Sequence, residues 1–349
     1  MGDLIIELII IILKIGVVVV VLLFGVAYMT LAERRFAGFI QDRLGPNRAG
    51  PQGLLQPFAD GIKLFFKEDF IPDRAEKLLF FIAPGLMFVP ALCVVAVIPF
   101  GESLNIFGRE IQLRIADVNI GILYIFAIAS LGVYGIVLGG WSANNKYTLF
   151  GSLRSSAQMI SYELALGLSV MGVLMITGSL RLTEVVEVQR SYFFGFIPHW
   201  NIFLQPVAFI IFMTAAFAET NRLPFDLVEA EQELVGGYHT EYNSMKWGLY
   251  FLAEYANVIT ASAIVTTLFF GGWHLPWIEK IPMPPILLEL LQIGSFVLKT
   301  AFFSIFFIWV RWTFPRFKYN QLMSLGWKVF LPIAILNVLV TGLFYAIFL

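Results

Sequence analysis

Six carboxylates crowd into the stretch ETNRLPFDLVEAEQELVGGYHTEY at residues 219–242: Glu219, Asp226, Glu229, Glu231, Glu233 and Glu241, with Arg222 the one guanidinium among them. If residues 226–233 are helical, Asp226, Glu229 and Glu233 fall at i, i+3 and i+7, on one face. Like charges at that spacing repel, so either cations from elsewhere in the chain answer the face or some of the groups hold protons. The chemistry such a set performs is proton storage and transfer. A solvated acidic loop is the plain alternative. The apolar runs on both sides, each long enough to cross a membrane, weigh against it.

Further carboxylates lie inside those runs. Glu163 stands about two turns into an apolar segment, in SYELALG, and Glu254 stands about two turns into another, in FLAEYAN. Glu219 closes a third, and each has Tyr162, Tyr255 or Arg222 close by in sequence. An ionisable group within a spanning helix costs roughly 2.5–3.5 kcal/mol on insertion scales, so its presence points to function, and a chain of such groups passes protons. Lys299 lies mid-segment, and Glu7 and Lys14, seven apart on one face, read as a structural pair.

The elements that must position these groups are transmembrane helices. The chain has 349 residues, 59% of them hydrophobic and 13% charged, against the roughly 25% charge of a soluble domain. Eight apolar runs reach spanning length, at about 4–32, 78–98, 119–140, 156–179, 201–219, 248–271, 286–310 and 328–348. The first, with Asp3 and Glu7 in place of a basic start, reads as a span and not as a cleavable signal. The loops 33–77, 141–155, 220–247 and 311–328 hold sixteen Lys and Arg, and the opposite loops hold five. The basic set is therefore cytoplasmic and both termini face outward, to the periplasm. The expectation is an all-α polytopic membrane protein, a single transmembrane domain over 1–349 with cytoplasmic loops at 33–77 and 220–247.

The first of those loops opens AERRFAGFIQDRLGPNRAGPQG, where Arg34, Arg35, Arg43 and Arg48 meet a Gly-Pro-rich turn. In the GLLQPFADGIKLFFKED that follows, Leu54, Phe58, Ile62, Phe65 and Phe66 share one helical face, with Asp60, Lys63 and Lys67 on the other. That pattern predicts an amphipathic helix lying along the interface. Residues 180–200 are expected to form another, and Trp200, Trp273 and Trp277 to belong to an aromatic belt. The single cysteine, Cys93, forms no internal disulfide, and the three histidines show no metal-ligand spacing. No haem, flavin or iron–sulfur pattern appears, and no basic tract of the nucleic-acid-binding kind.

GLLQPFADGIKLFFKE (53–68) and PFDLVEAEQELVGG (224–237), with AERR (32–35) and RLGPNR (43–48), resemble the signatures of the H subunit of bacterial NADH:quinone oxidoreductase, respiratory complex I. The likeness covers essentially the whole chain. It implies an inner-membrane protein at the joint of the membrane and peripheral arms, forming much of the chamber through which ubiquinone or menaquinone reaches its reduction site. NADH, FMN and the iron–sulfur clusters then belong to partner subunits, and this chain carries no redox centre. Carried onto this sequence, Arg34, Arg35, Arg43, Arg48, Asp60, Lys63, Arg222 and Tyr162 belong to the chamber or the docking surface. Glu163, Glu219, Asp226, Glu229, Glu231, Glu233, Glu241 and Glu254 belong to the acidic path coupling quinone reduction to proton translocation. The alternatives are the homologous membrane component of a membrane-bound hydrogenase or formate hydrogenlyase, which matches these motifs less closely, and a standalone ion-coupled carrier, which often shows paired halves with broken helices.

Overall fold

The computed structural model describes residues 2–106, 109–193, 195–227, 234–278 and 283–348. Among them, seven helices are long and apolar enough to cross a membrane. They are α1 (Gly2–Ile40), α3 (Lys77–Val94), α4 (Gly121–Ser142), α5 (Lys146–Thr177), α9 (Ser244–Phe269), α10 (Pro285–Thr313) and the last helix. That last helix runs from α11 (Tyr319–Ser324) through a π-helical stretch, Leu325–Phe330, into α12 (Leu331–Phe348). The short helices are α2 (Gln56–Phe66), α6 (Leu182–Val188), α7 (Asn201–Leu204) and α8 (Pro206–Glu219). Two antiparallel hairpins sit in the connections, β1 (Ser103–Ile106) with β2 (Arg109–Gln112) and β3 (Tyr192–Phe193) with β4 (Ile197–Pro198).

Several expected boundaries move because packing extends helices past the point where hydropathy falls. α1 continues to Ile40, so Arg34 and Arg35 stand on its last turns and not in a loop. The segment 141–155 is mostly helical, because Asn145 caps α5 through its Oδ1, which accepts from Tyr147 N at 3.0 Å. Gly178, in the left-handed region, closes the other end of α5. The expected fifth span is the shorter α8, of 14 residues, with α7 bent away from it at Gln205 ahead of Pro206. Where α3 crosses α4, a Cβ on Gly135 would stand 2.7 Å from Met87 N and 2.9 Å from Ala83 O, so glycine sets that close approach.

α2 forms as its periodicity predicts. Phe58 packs edge-on to Phe24 and Tyr28 of α1, while Ile62, Phe65 and Phe66 stay exposed. In the 180–200 segment the short α6 buries Leu182, Thr183, Val185 and Val186 and leaves Glu187 and Val188 exposed. Of the three tryptophans, Trp277 is exposed, but Trp273 is buried beside Ile98, Val186, Ala263 and Phe296. Trp200 lies under the Lys299 ammonium, 5.1 Å from the ring centroid. Lys299 Nζ also donates to the carbonyls of Phe270, Gly272 and His274 at 2.9, 3.0 and 2.7 Å, a cation on the C-terminal end of α9. Lys14 reaches the carbonyls of Gln112 and Arg114 beside the β1–β2 hairpin, while Glu7 is exposed.

Candidate functional site

The centre of the site is Glu33. On α1 the buried positions Val26, Met29, Thr30, Glu33 and Ala37 recur at helical spacing, which turns this carboxylate into the bundle, 5% exposed. Its Oε2 accepts from Tyr255 Oη at 2.5 Å and from Arg222 Nη1 at 3.4 Å, and its Oε1 accepts from Arg311 Nη1. The Arg222 guanidinium lies 4.0 Å from the Tyr255 ring centroid. Burial works against the Arg222 charge; Tyr255, Glu33 and Glu254 outweigh it and raise its pKa above the usual arginine value. Arg222 Nε and Nη2 are buried with no hydrogen-bond partner among the described residues.

Two further carboxylates flank this hub. Asp226 accepts from Arg316 Nη2 at 3.0 Å. Glu254, next to Tyr255 on α9, points about 100° away from it around the helix axis and accepts from Tyr238 Oη at 2.8 Å. Arg222, Asp226 and Arg311 all lie within electrostatic reach of Glu254. Three arginines thus answer Glu33, Asp226 and Glu254, offsetting the repulsion these three carboxylates would otherwise exert on one another.

Beyond them, Glu219 lines a cavity of about 60 Å³ between α3, α4, α5, α8 and α9. That is several times the roughly 10–15 Å³ one water requires. Glu219, Thr220, Asn257 and Thr260 give water partners there, while Met87, Val94, Ile125 and Phe212 make apolar wall. Glu163 is half-buried on α5 and lies within electrostatic reach of Glu219. Ordered carboxylates, tyrosine hydroxyls and a wettable cavity are the components of a proton path.

A family profile described as NADH dehydrogenase matches residues 13–342. The chain belongs to that family. It is 51% identical to the NADH-quinone oxidoreductase H subunit, copy 1, of Cytophaga hutchinsonii, with 90% of each chain covered. It is 52% identical to NADH-quinone oxidoreductase subunit 8 of Rhodothermus marinus, with 94% of each covered. It is 48% identical to the NADH-quinone oxidoreductase H subunit, copy 2, of Koribacter versatilis, over 99% of this chain and 100% of that one.

In this member of the NADH dehydrogenase family, the structure brings Glu163 to Glu219 and Glu254 to Asp226 and Arg222. Glu241 instead accepts from Asn145 Nδ2 at 2.6 Å, before α5. Glu229, Glu231 and Glu233, and the helical face proposed for them, lie outside the described residues. Tyr162 is fully buried, its Oη donating to Leu322 O at 2.9 Å and its ring 3.4 Å from the position of a Cβ on Gly326. Arg34 pairs with Asp60 on α2, Arg35 donates to Gln52 O, Arg43 Nε donates to Gln41 Oε1 at 2.7 Å, and Arg43, Arg48 and Lys63 are exposed.

Sequence reasoning missed Glu33, Arg311, Arg316 and the role of Tyr238. For Glu33 a signal existed: the apolar spacing of Val26 and Met29 continues through Glu33 to Ala37, past the end of the hydropathic run. For Arg311 none existed, since its partner is 278 residues away in sequence.

Proposed function

We propose that this chain is the H subunit of a bacterial, proton-translocating NADH:quinone oxidoreductase, a multi-pass inner-membrane protein with both termini on the periplasmic side. It forms the quinone-access chamber and passes the effect of quinone reduction to proton translocation through its buried carboxylates. Quinone is the substrate. NADH, FMN and the iron–sulfur clusters reside on partner subunits, and the exposed Arg43 and Arg48 face those subunits or the chamber mouth.

The observation that carries the reading is the buried cluster of Glu33, Arg222, Asp226 and Glu254, with a second acidic group, Glu219 and Glu163, beside a cavity in the same helix bundle. Quinone reduction consumes protons and shifts charge at the chamber. A buried carboxylate hydrogen-bonded to a guanidinium or a tyrosine responds by exchanging its proton or its partner. Tyr238 holds a hydroxyl proton on Glu254 Oε1, and Tyr255 holds one on Glu33 Oε2. Arg222 stands between those carboxylates with two nitrogens free of protein acceptors among the described residues.

The test is Glu163→Gln, which keeps the shape and removes the charge. Quinone-linked turnover and the proton gradient should fall together, while NADH oxidation with an artificial acceptor at the peripheral arm is retained. A fully assembled variant with normal turnover and a normal gradient would refute the coupling role. Purification in mild detergent separates this reading from a standalone carrier, which would emerge as a small particle.

A further inference from the structure

Gln158 lies on α5 one helical turn before Tyr162 and is completely buried. Its side-chain nitrogen donates to the carbonyl oxygens of Ala218 and Phe225, each at 2.8 Å, and stands 3.4 Å from Asn221 Oδ1. Ala218 belongs to the last turn of α8, and its carbonyl also accepts from Asn221 N at 3.4 Å. Phe225 comes seven residues later, after the chain has turned back. A carboxamide nitrogen carries two hydrogens, and here each serves one end of the same turn.

Every charged group that the site draws from this turn sits between or beside those two ties. Glu219 follows Ala218, Arg222 lies midway, and Asp226 follows Phe225. Their surroundings come from different parts of the bundle. Glu219 faces the cavity, Glu33, the partner of Arg222, is on α1, and Arg316, the partner of Asp226, follows α10. A small rotation of the 218–225 turn would change both ion-pair distances and move Glu219 in its cavity.

We propose that Gln158 is the positioning residue for this turn: its carboxamide locks both ends to α5, so that the Glu33–Arg222 and Asp226–Arg316 ion pairs keep one geometry and Glu219 keeps its place on the cavity. The inference rests on the coupling role given to Glu163 and Glu219 above. The residue type follows from the demand. Glutamate has the same shape but no donor, and would set a carboxylate against two carbonyls. Asparagine has the donors but is one methylene short. Leucine fills the space and satisfies neither carbonyl. Gln158 Oε1 is itself buried without a partner among the described residues, an arrangement that costs stability. The position therefore favours the two carbonyls over full satisfaction of its own oxygen.

The experiment uses the whole enzyme carrying Gln158→Leu, Gln158→Glu or Gln158→Asn, with assembly normalised by NADH oxidation with an artificial acceptor. Hydrogen exchange of the amides at 219–227 should quicken roughly tenfold in Gln158→Leu. Quinone turnover should fall in kcat by several fold with KM nearly unchanged, and its pH profile should move. Gln158→Glu should be at least as severe despite its shape, and Gln158→Asn should be intermediate and should assemble even if the other two do not. Unchanged exchange at 219–227 overturns the proposal. So does an assembled variant whose turnover and pH profile match the wild type. If Glu163→Gln is damaging while the Gln158 variants leave the pH profile in place, only the positioning role falls. If Glu163→Gln is silent, the coupling reading falls whatever the exchange data show.

Discussion

Replacing Glu33 with Gln keeps the side-chain shape and leaves Arg222 and Arg311 without their shared countercharge. Breaking a buried ion pair by removing one partner costs about 3–5 kcal/mol. The side chains of Glu33 and Arg222 are 7% and 8% exposed, whereas that of Arg311 is 25% exposed. Water recovers part of the Arg311 loss, which places the expected cost near the lower bound, about 3 kcal/mol or roughly a hundredfold in the opening equilibrium. Cys93, the single cysteine of the chain, is part-buried on α3 and reports that opening by its labelling rate in the intact enzyme, read on this chain by mass. A double variant, Glu33→Gln with Arg311→Gln, removes one stranded charge along with the carboxylate. It should be less damaging than the sum of the two single changes, by about 1.5 kcal/mol or more. Wild-type labelling of Glu33→Gln, or single-variant effects that add within about 0.5 kcal/mol, would show that Glu33 is not the hub described.

Arg43→Ala, which removes an exposed guanidinium, should weaken assembly or raise the quinone KM; wild-type assembly and kinetics would count against a docking or chamber role. Lys299→Met strands three carbonyls at the end of α9 and should destabilise the chain by about 2–4 kcal/mol, with thermal inactivation as the measure and an unchanged half-life as the contrary result. Burial holds the His199 imidazole below the usual histidine pKa, with a backbone hydrogen bond opposing. The unfolded segment therefore takes up a proton first as pH falls through about 6.5, so the stability His199 contributes is present above that pH and lost below it. The protection factor of the amides at 191–199, taken against the intrinsic exchange rate at each pH, should fall from pH 7.5 to pH 5.5, and His199→Gln should flatten that fall; a pH-independent protection factor in the wild type rules the account out. A reporter active only in the cytoplasm should stay silent at the C-terminus, and strong activity there would overturn the outward placement.

The fold was legible because a bilayer demands long apolar runs, and α3, α4, α9 and α10 occupy nearly the expected positions. The carboxylates of α5 and α9 stood out for the same reason, each a lone charge in apolar surroundings. What stayed hidden has a common cause. Glu33 sits where hydropathy has already fallen, so ERR read as the start of a loop, although packing carries the helix seven residues beyond it. Arg311 and Arg316 read as ordinary basic loop residues, and only the fold brings them to Glu33 and Asp226. Gln158 carries no charge and has no local motif; its meaning lies in two carbonyls some sixty residues away.

The shortness of α8 bears on how the chain is made. At about 1.5 Å per residue, its 14 residues reach about 21 Å, well under the roughly 30 Å of hydrocarbon. Such a segment leaves the insertion machinery with weak retention on its own. The contacts that keep it come mainly from α5, synthesised before it, with smaller contributions from α9 and the last helix, synthesised after it. Gln205, just before its N-terminal end, is tied to Asn337 and Thr341, each at 2.8 Å. The segment ending in Glu219 therefore depends on α5 being in place when it emerges, and its N-terminal tie at Gln205 closes only when the last helix arrives.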